Sequence, residues 1–176
     1  MIKRRLKEQA GFTLIEMLIV VILLGIMAML IIPQISVSTS DANLNTLKSN
    51  LTSMRNAMEL YYHQHNQVYP GAVLETDGTT ATTNITAPGA FSAQLTQYSD
   101  INGQVSTSKV GNFIYGPYLK STALPTNPYN NLATLACDVG VTDITDRTVI
   151  APETAWAMHP TTGVFFANDT GGHNLL

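Results

Sequence analysis

Gly11-Phe12-Thr13-Leu14-Ile15-Glu16-Met17-Leu18-Ile19-Val20-Val21-Ile22-Leu23-Leu24-Gly25-Ile26-Met27-Ala28-Met29-Leu30-Ile31-Ile32-Pro33 decides the architecture of this chain. From Phe12 to Ile32, 21 residues, only Thr13, Glu16 and Gly25 interrupt the apolar character. At about 1.5 Å rise per residue, such a helix is roughly 31 Å long, the thickness of a bilayer core. The basic stretch Lys3-Arg4-Arg5-Leu6-Lys7 precedes it. By the positive-inside rule that leader stays in the cytoplasm and the rest of the chain lies outside. A carboxylate in such a segment costs on the order of 2.5–3.5 kcal/mol on insertion scales, so Glu16 implies a partner charge.

Two simpler readings leave residues unexplained. A secretory signal peptide has an apolar core of about 7–15 residues and a small-residue cleavage site, for which Ser36-Val37-Ser38 would serve. The run here is too long for that, and a signal peptide has no use for Glu16. An ordinary single-pass anchor accounts for the span but not for Glu16 or for the Gly11-Phe12 junction.

The basic leader, the Gly11-Phe12 junction, Glu16, the apolar run and Pro33 together resemble the prepilin signature of type IV pilins and type II secretion pseudopilins. The resemblance implies that a prepilin peptidase cuts after Gly11 on the cytoplasmic side and methylates the new amino terminus at Phe12. It also implies that Glu16 pairs with the amino-terminal charge of a neighbouring subunit during assembly.

The length, 176 residues, suits one globular domain with appendages. The first 11 residues hold four of the nine basic residues and one of the twelve acidic ones. The remaining side chains therefore carry five positive charges against eleven negative, a net of −6. Lys48, Arg55, Lys109, Lys120 and Arg147 are scattered, which argues against a nucleic-acid surface. Cys137 is the only cysteine, so no intramolecular disulfide forms and the residue is expected buried. Type IVa pilins often carry a C-terminal disulfide loop, and its absence turns the resemblance toward pseudopilins.

Beyond Pro33 the helix is expected to continue to about His65. Leu44, Leu47, Leu51, Met54, Met58 and Tyr61 recur at spacings of 3, 4, 3, 4 and 3, one apolar stripe on an amphipathic helix. Arg55 and Glu59, four apart, are placed to pair weakly. Tyr69-Pro70-Gly71 reads as the stop. Residues 72–89, rich in Thr, Ala, Gly and Asn, read as an exposed loop, and a short helix is expected over Ala90–Tyr98. Phe113-Ile114-Tyr115 and Thr148-Val149-Ile150 read as strands. Ala155-Trp156-Ala157-Met158 and Val164-Phe165-Phe166-Ala167 read as a hairpin around His159–Gly163. The tail from Gly171 is expected loose.

The fold class is thus α+β: a long N-terminal helix packed on a small antiparallel sheet. This element order resembles a pilin or pseudopilin. Tyr61-Tyr62 with Tyr69-Pro70, and the segment Leu124-Pro125-Thr126-Asn127-Pro128-Tyr129-Asn130, are similar to the helix exit and connecting loop of major pseudopilins. The expected organisation is a leader over 1–11, a transmembrane helix over 12–33, its amphipathic continuation over 34–66 and a globular domain over 67–176.

No nucleophile, phosphate-loop, dinucleotide or zinc motif occurs, so no catalysis and no cofactor are expected. His63 and His65 point about 200° apart on a helix and read as exposed helix-terminal residues. Asp138, Asp143 and Asp146 match no calcium-loop spacing and read as solvated, with no metal expected. Asn50, Asn84 and Asn168 head glycosylation-type triplets that occur often by chance. Phe91, Tyr98, Phe113, Tyr115, Tyr118, Trp156, Phe165 and Phe166 read as core in preference to a binding platform.

The resemblance implies a structural subunit of a type IV pilus-like filament or a type II secretion pseudopilus, assembled through its N-terminal helix after leader cleavage. Its partners would be copies of itself, prepilin peptidase, an inner-membrane assembly platform and membrane lipid. Its place would be the bacterial inner membrane, N-terminus cytoplasmic and C-terminal domain extracytoplasmic, and then the filament. Secretion, adhesion or motility, and DNA uptake all remain open as its use. The alternative is a single-pass anchored extracytoplasmic binding domain.

Overall fold

The computed structural model describes residues 11–76 and 86–176, leaving aside the side chains of 30–38 within the long helix. The expected leader, apart from Gly11, and the threonine-rich tract at 79–83 lie outside the described residues. The chain divides into two compact units, Met1–Ala42 and Asn43–Leu176. Its architecture is α+β.

Helix α1, Leu14–Gln64, passes through Pro33 as a helix. Among the described residues no helix is long and apolar enough to cross a membrane. The span expected over 12–33 runs past residue 29 into side chains outside that description. The helix ends before the expected Tyr69-Pro70-Gly71 stop. Asn66 and Gln67 take left-handed backbone angles, φ 52° and 61°, and the Gln67 N–H donates to the Tyr62 carbonyl at 3.1 Å. A left-handed turn that satisfies a trailing carbonyl is a common way to close a helix.

In the second unit the stripe of α1 is the floor of the core. Leu47, Leu51, Met54, Met58 and Tyr61 are buried, and Leu44 is half-buried. Helix α2, Ala87–Thr96, starts three residues earlier than expected because Pro88 sits in its first turn, where a missing N–H costs nothing. It contributes Ala87, Phe91 and Leu95 to the same core.

Strands β1 (Tyr98–Ser99) and β2 (Val105–Ser106) form a short antiparallel pair, and Tyr115 adds one bridge to Ser99. That single bridge is all that stands where Phe113–Tyr115 read as a strand. A second sheet has the order β3 (Leu135–Cys137), β4 (Trp156–His159), β5 (Val164–Ala167). The expected hairpin is present, with Trp156 opposite Ala167 and His159 opposite Val164. β3 joins it in parallel, so this sheet is mixed.

Every residue of β4 and β5 is buried. One face, Trp156, Met158, Phe165 and Ala167, belongs to the core with α1. The other, Ala157, Val164 and Phe166, packs with Ile150. Thr148–Ile150 is not a strand. The Asn168 amide takes the strand's place, accepting from the Ile150 N–H at 2.7 Å and donating to the Ile150 carbonyl at 2.8 Å.

Candidate functional site

The N-terminal segment supplies the first candidate site. Helix α1 needs a partner for its leading N–H groups, because the first turn has no intrahelical acceptors. Thr13 and Glu16 provide one reciprocally. The Glu16 N–H donates to Thr13 Oγ1 at 3.3 Å, while the Thr13 N–H and hydroxyl donate to Glu16 Oε2 at 2.7 and 2.8 Å. This is a capping box of the Thr-x-x-Glu type. The two bonds that the carboxylate accepts fall on one oxygen, and Oε1 makes none among the described residues. Phe12, Leu14 and Ile15 beside it are exposed, Leu14 at 86%. Large apolar side chains stay exposed along the helix as far as Met29. A helix apolar on every side, opened by one capped carboxylate next to Gly11, presents a surface that needs lipid or other helices to cover it.

The histidines depart from expectation. His63 is exposed, but His65 is buried at 1% exposure. Its ring stacks on Tyr61 at 3.7 Å; Nδ1 lies 2.8 Å from the Tyr61 carbonyl and Nε2 2.9 Å from Ser99 Oγ. A carbonyl can only accept, so Nδ1 carries the proton. Burial pushes the imidazole below its ordinary range, against the Tyr61 carbonyl and Asp100, which favour the charged form. Helical spacing showed where His65 starts from, not that Tyr115 and Tyr118 close over it. His159 is also buried, and among the described residues neither ring nitrogen has a hydrogen-bond partner.

The tail beyond Gly171 is docked. His173 Nδ1 lies 2.7 Å from Asp169 Oδ1, and the His173 ring stacks on Tyr129 at 3.8 Å. Asn127 Nδ2 donates to Asp169 Oδ2 at 2.9 Å. Burial works to raise the Asp169 pKa, but bonds from Asn127, His173 and the Gly171 N–H prevail and hold it below the usual range. Arg55 does not pair with Glu59. Its guanidinium donates to the Phe165 carbonyl at 2.8 Å and to the Leu176 carbonyl at 2.7 Å, joining α1, β5 and the tail.

The three aspartates each serve a local turn. Asp138 accepts from the Gly140 N–H, Asp143 from Thr145 and Asp146 from the Thr148 N–H. No group of His, Cys, Asp or Glu among the described residues is arranged to hold a metal. Cys137 is buried on β3, and burial pushes its thiol up to about 12, so it is an unreactive core residue. Of the glycosylation-type asparagines, Asn50 donates to the Thr126 carbonyl, Asn168 is buried and Asn84 lies outside the described residues.

Comparison with known proteins bears on the first candidate site. Residues 6–32 match the prokaryotic N-terminal methylation motif, a stretch that includes Gly11, Phe12 and Glu16. The chain is 36% identical over 55 residues to the type II secretion system core protein G of Pseudomonas aeruginosa, covering 31% of this chain and 39% of that protein. It is 31% identical over 67 residues to the protein of that name in Vibrio cholerae, covering 38% and 45%. To that of Aeromonas hydrophila it is 36% identical over 64 residues, covering 36% and 44%. The chain spans less than half the length of these curated relatives. No solved structure matches it. The motif and the relatives together support the pilin and pseudopilin family.

Proposed function

We propose that this chain, as a member of the pilin and pseudopilin family, is a structural subunit of a type II secretion pseudopilus or a related type IV pilus-like filament. Its work is assembly, not catalysis. The observation that carries this reading is the capped Glu16 at the head of the exposed, apolar first half of α1, four residues after Phe12 of the Gly11-Phe12 junction. An isolated anchor needs the apolar helix alone. A filament subunit also needs a carboxylate at a fixed depth to meet the amino terminus of a neighbour.

In this reading the leader ends at Gly11, prepilin peptidase releases and methylates Phe12, and the segment over 12–33 holds the subunit in the inner membrane until assembly. The N-terminus begins cytoplasmic and the unit Asn43–Leu176 extracytoplasmic. An inner-membrane platform then adds subunits helix against helix. The net charge of −6 on the mature side chains suits a surface that does not bind nucleic acid.

Intact-mass measurement on protein extracted from membranes tests this directly. The expected species begins at Phe12 and is one methyl group heavier than the unmodified cleaved chain; Gly11→Val remains full length. A wild-type chain that keeps residues 1–11 would return the protein to the class of simple anchored domains. A start near Thr39 would make it a secreted one.

A further inference from the structure

On the helix side of the unit Asn43–Leu176, a cavity of about 210 Å³ opens between α1 and the segment 119–125. Met54, Leu119 and Pro125 make its walls apolar, and Lys120 stands at it, exposed. Among the described residues Lys120 makes no ion pair and no hydrogen bond. The feature is an apolar recess with one uncompensated cation.

The segment 141–152 carries the converse. Its Ile150 packs on Ala157, Val164 and Phe166, the face of the sheet turned away from α1. Six residues earlier Ile144 is 67% exposed. The turn around it is fixed. Asp143 Oδ1 accepts from the Thr145 N–H at 2.8 Å and from the Thr145 hydroxyl at 2.7 Å. Asp146 Oδ1 accepts from the Thr148 N–H at 2.8 Å, and the Arg147 guanidinium donates to the Ile144 carbonyl at 3.0 Å. An aliphatic side chain held in water by such a turn gains free energy when covered, and it docks with little further ordering cost. Asp143 Oδ2 has no partner, and neither Asp143 nor Asp146 has an ion pair among the described residues. The feature is an apolar projection flanked by uncompensated carboxylates.

We propose that Ile144 of one subunit enters the recess between α1 and 119–125 of a second copy of this chain, with Asp143 facing that copy's Lys120. Apolar meets apolar, and each charge meets the opposite sign it lacks within its own chain. The recess lies on α1 and the projection on the far side of the sheet, so the two patches differ. A contact between different patches is heterologous and can propagate from copy to copy, which suits a filament. The inference rests on the filament-subunit reading. One side chain and one charge pair bury far less than the roughly 1,200–2,000 Å² of a stable interface. The contact therefore holds only where packed N-terminal helices already raise the local concentration of the neighbour.

The test uses the full chain in cells that assemble it, with filaments collected by shearing. Ile144→Ser and Lys120→Glu change exposed side chains, so both variants should melt like wild type in detergent. Each should lower filament yield about fivefold or more. Lys120→Arg keeps the charge and should stay within about twofold of wild type. A second arm leaves Ile144, Asp143 and Lys120 in place. Filaments of the paired variant Ala123→Cys with Thr142→Cys, treated with a short bismaleimide, should give a ladder of covalent multimers. Either cysteine alone should give none, because Cys137 is buried and unreactive. Wild-type yield from Ile144→Ser or Lys120→Glu, or paired-variant filaments that stay monomeric after treatment, would overturn the contact and leave the subunit reading standing. Absence of filaments from the wild type itself would remove both.

Discussion

Gly163 packs against the hydroxyl end of the Tyr69 ring, and a Cβ built on Gly163 would clash with the ring carbons Cζ, Cε1 and Cε2. The contact ties the β4–β5 turn to the segment that follows α1. Gly163 also closes the turn, donating its N–H to the His159 carbonyl at 2.9 Å with φ +75°. Two independent demands, a left-handed backbone and no side chain, meet at one position. Gly163→Ala should therefore destabilise the fold by about 3 kcal/mol, from strained φ and overpacking together. A thermal melt followed by circular dichroism measures it; a loss below about 0.5 kcal/mol, typical of a surface position, would show that Tyr69 moves aside at little cost.

Gln94 sits in the middle of the second unit, fully buried, and holds three backbone segments at once. It accepts from the Gly71 N–H at 2.8 Å and donates to the carbonyls of Val73 at 3.0 Å and Gly103 at 2.8 Å. Replacing it with Met keeps the volume and orphans all three partners. Since each buried unsatisfied group costs about 1–3 kcal/mol, Gln94→Met should cost at least 3 kcal/mol. Chemical denaturation would show it as a lower midpoint with an unchanged slope.

Much of this was legible in sequence because it rests on period. The stripe from Leu44 to Tyr61 repeats at helical spacing and is buried where expected. The hairpin of β4 and β5 announces itself by two β-prone runs around a turn-forming loop. What periodicity missed is made by single side chains acting over long sequence distances. Val149 and Ile150 have strand composition, but one amide from Asn168 satisfies Ile150 in place of a neighbouring strand. β3 is three residues long and pairs in parallel, too short to carry a pattern. The tail carries no periodic pattern; it is held by the His173–Asp169 contact and by Arg55, 121 residues upstream of Leu176. In the N-terminal segment the Thr13-x-x-Glu16 spacing is itself the sequence signature of the helix cap that the structure shows.

His65 predicts how stability responds to pH. Its folded pKa lies below the unfolded value of about 6.5, because burial disfavours the imidazolium. The unfolded chain therefore binds more protons than the folded one as pH falls through that value. Stability contributed by neutral His65 is complete above about pH 6.5 and declines below it, by at most about 1.4 kcal/mol per pH unit for one proton. Asp169, whose folded pKa is depressed, adds a separate loss only below about pH 4. Between pH 6.5 and 4.5 the wild type should lose stability that His65→Gln, which does not titrate, retains. Parallel curves for the two proteins across that window would rule His65 out as the source.

The two parts played by Glu16 can be separated by choice of substitution. As a cap, its carboxylate satisfies the Thr13 N–H and hydroxyl; as a charge, it is proposed to meet a neighbour's amine. Glutamine serves a capping box nearly as well as glutamate but carries no charge, whereas leucine does neither. Both changes lower the insertion cost of the segment, so both variants should reach the membrane and be cleaved as well as wild type. If the charge carries assembly, Glu16→Gln and Glu16→Leu fail alike, because each leaves the Phe12 amine uncompensated among packed helices. If the cap carries it, Glu16→Gln assembles and Glu16→Leu does not. The expected outcome is failure of both: normal cleavage by intact mass, with few or no filaments in sheared fractions and negative-stain images. Wild-type filament yield from Glu16→Gln would leave Glu16 with the cap as its only role.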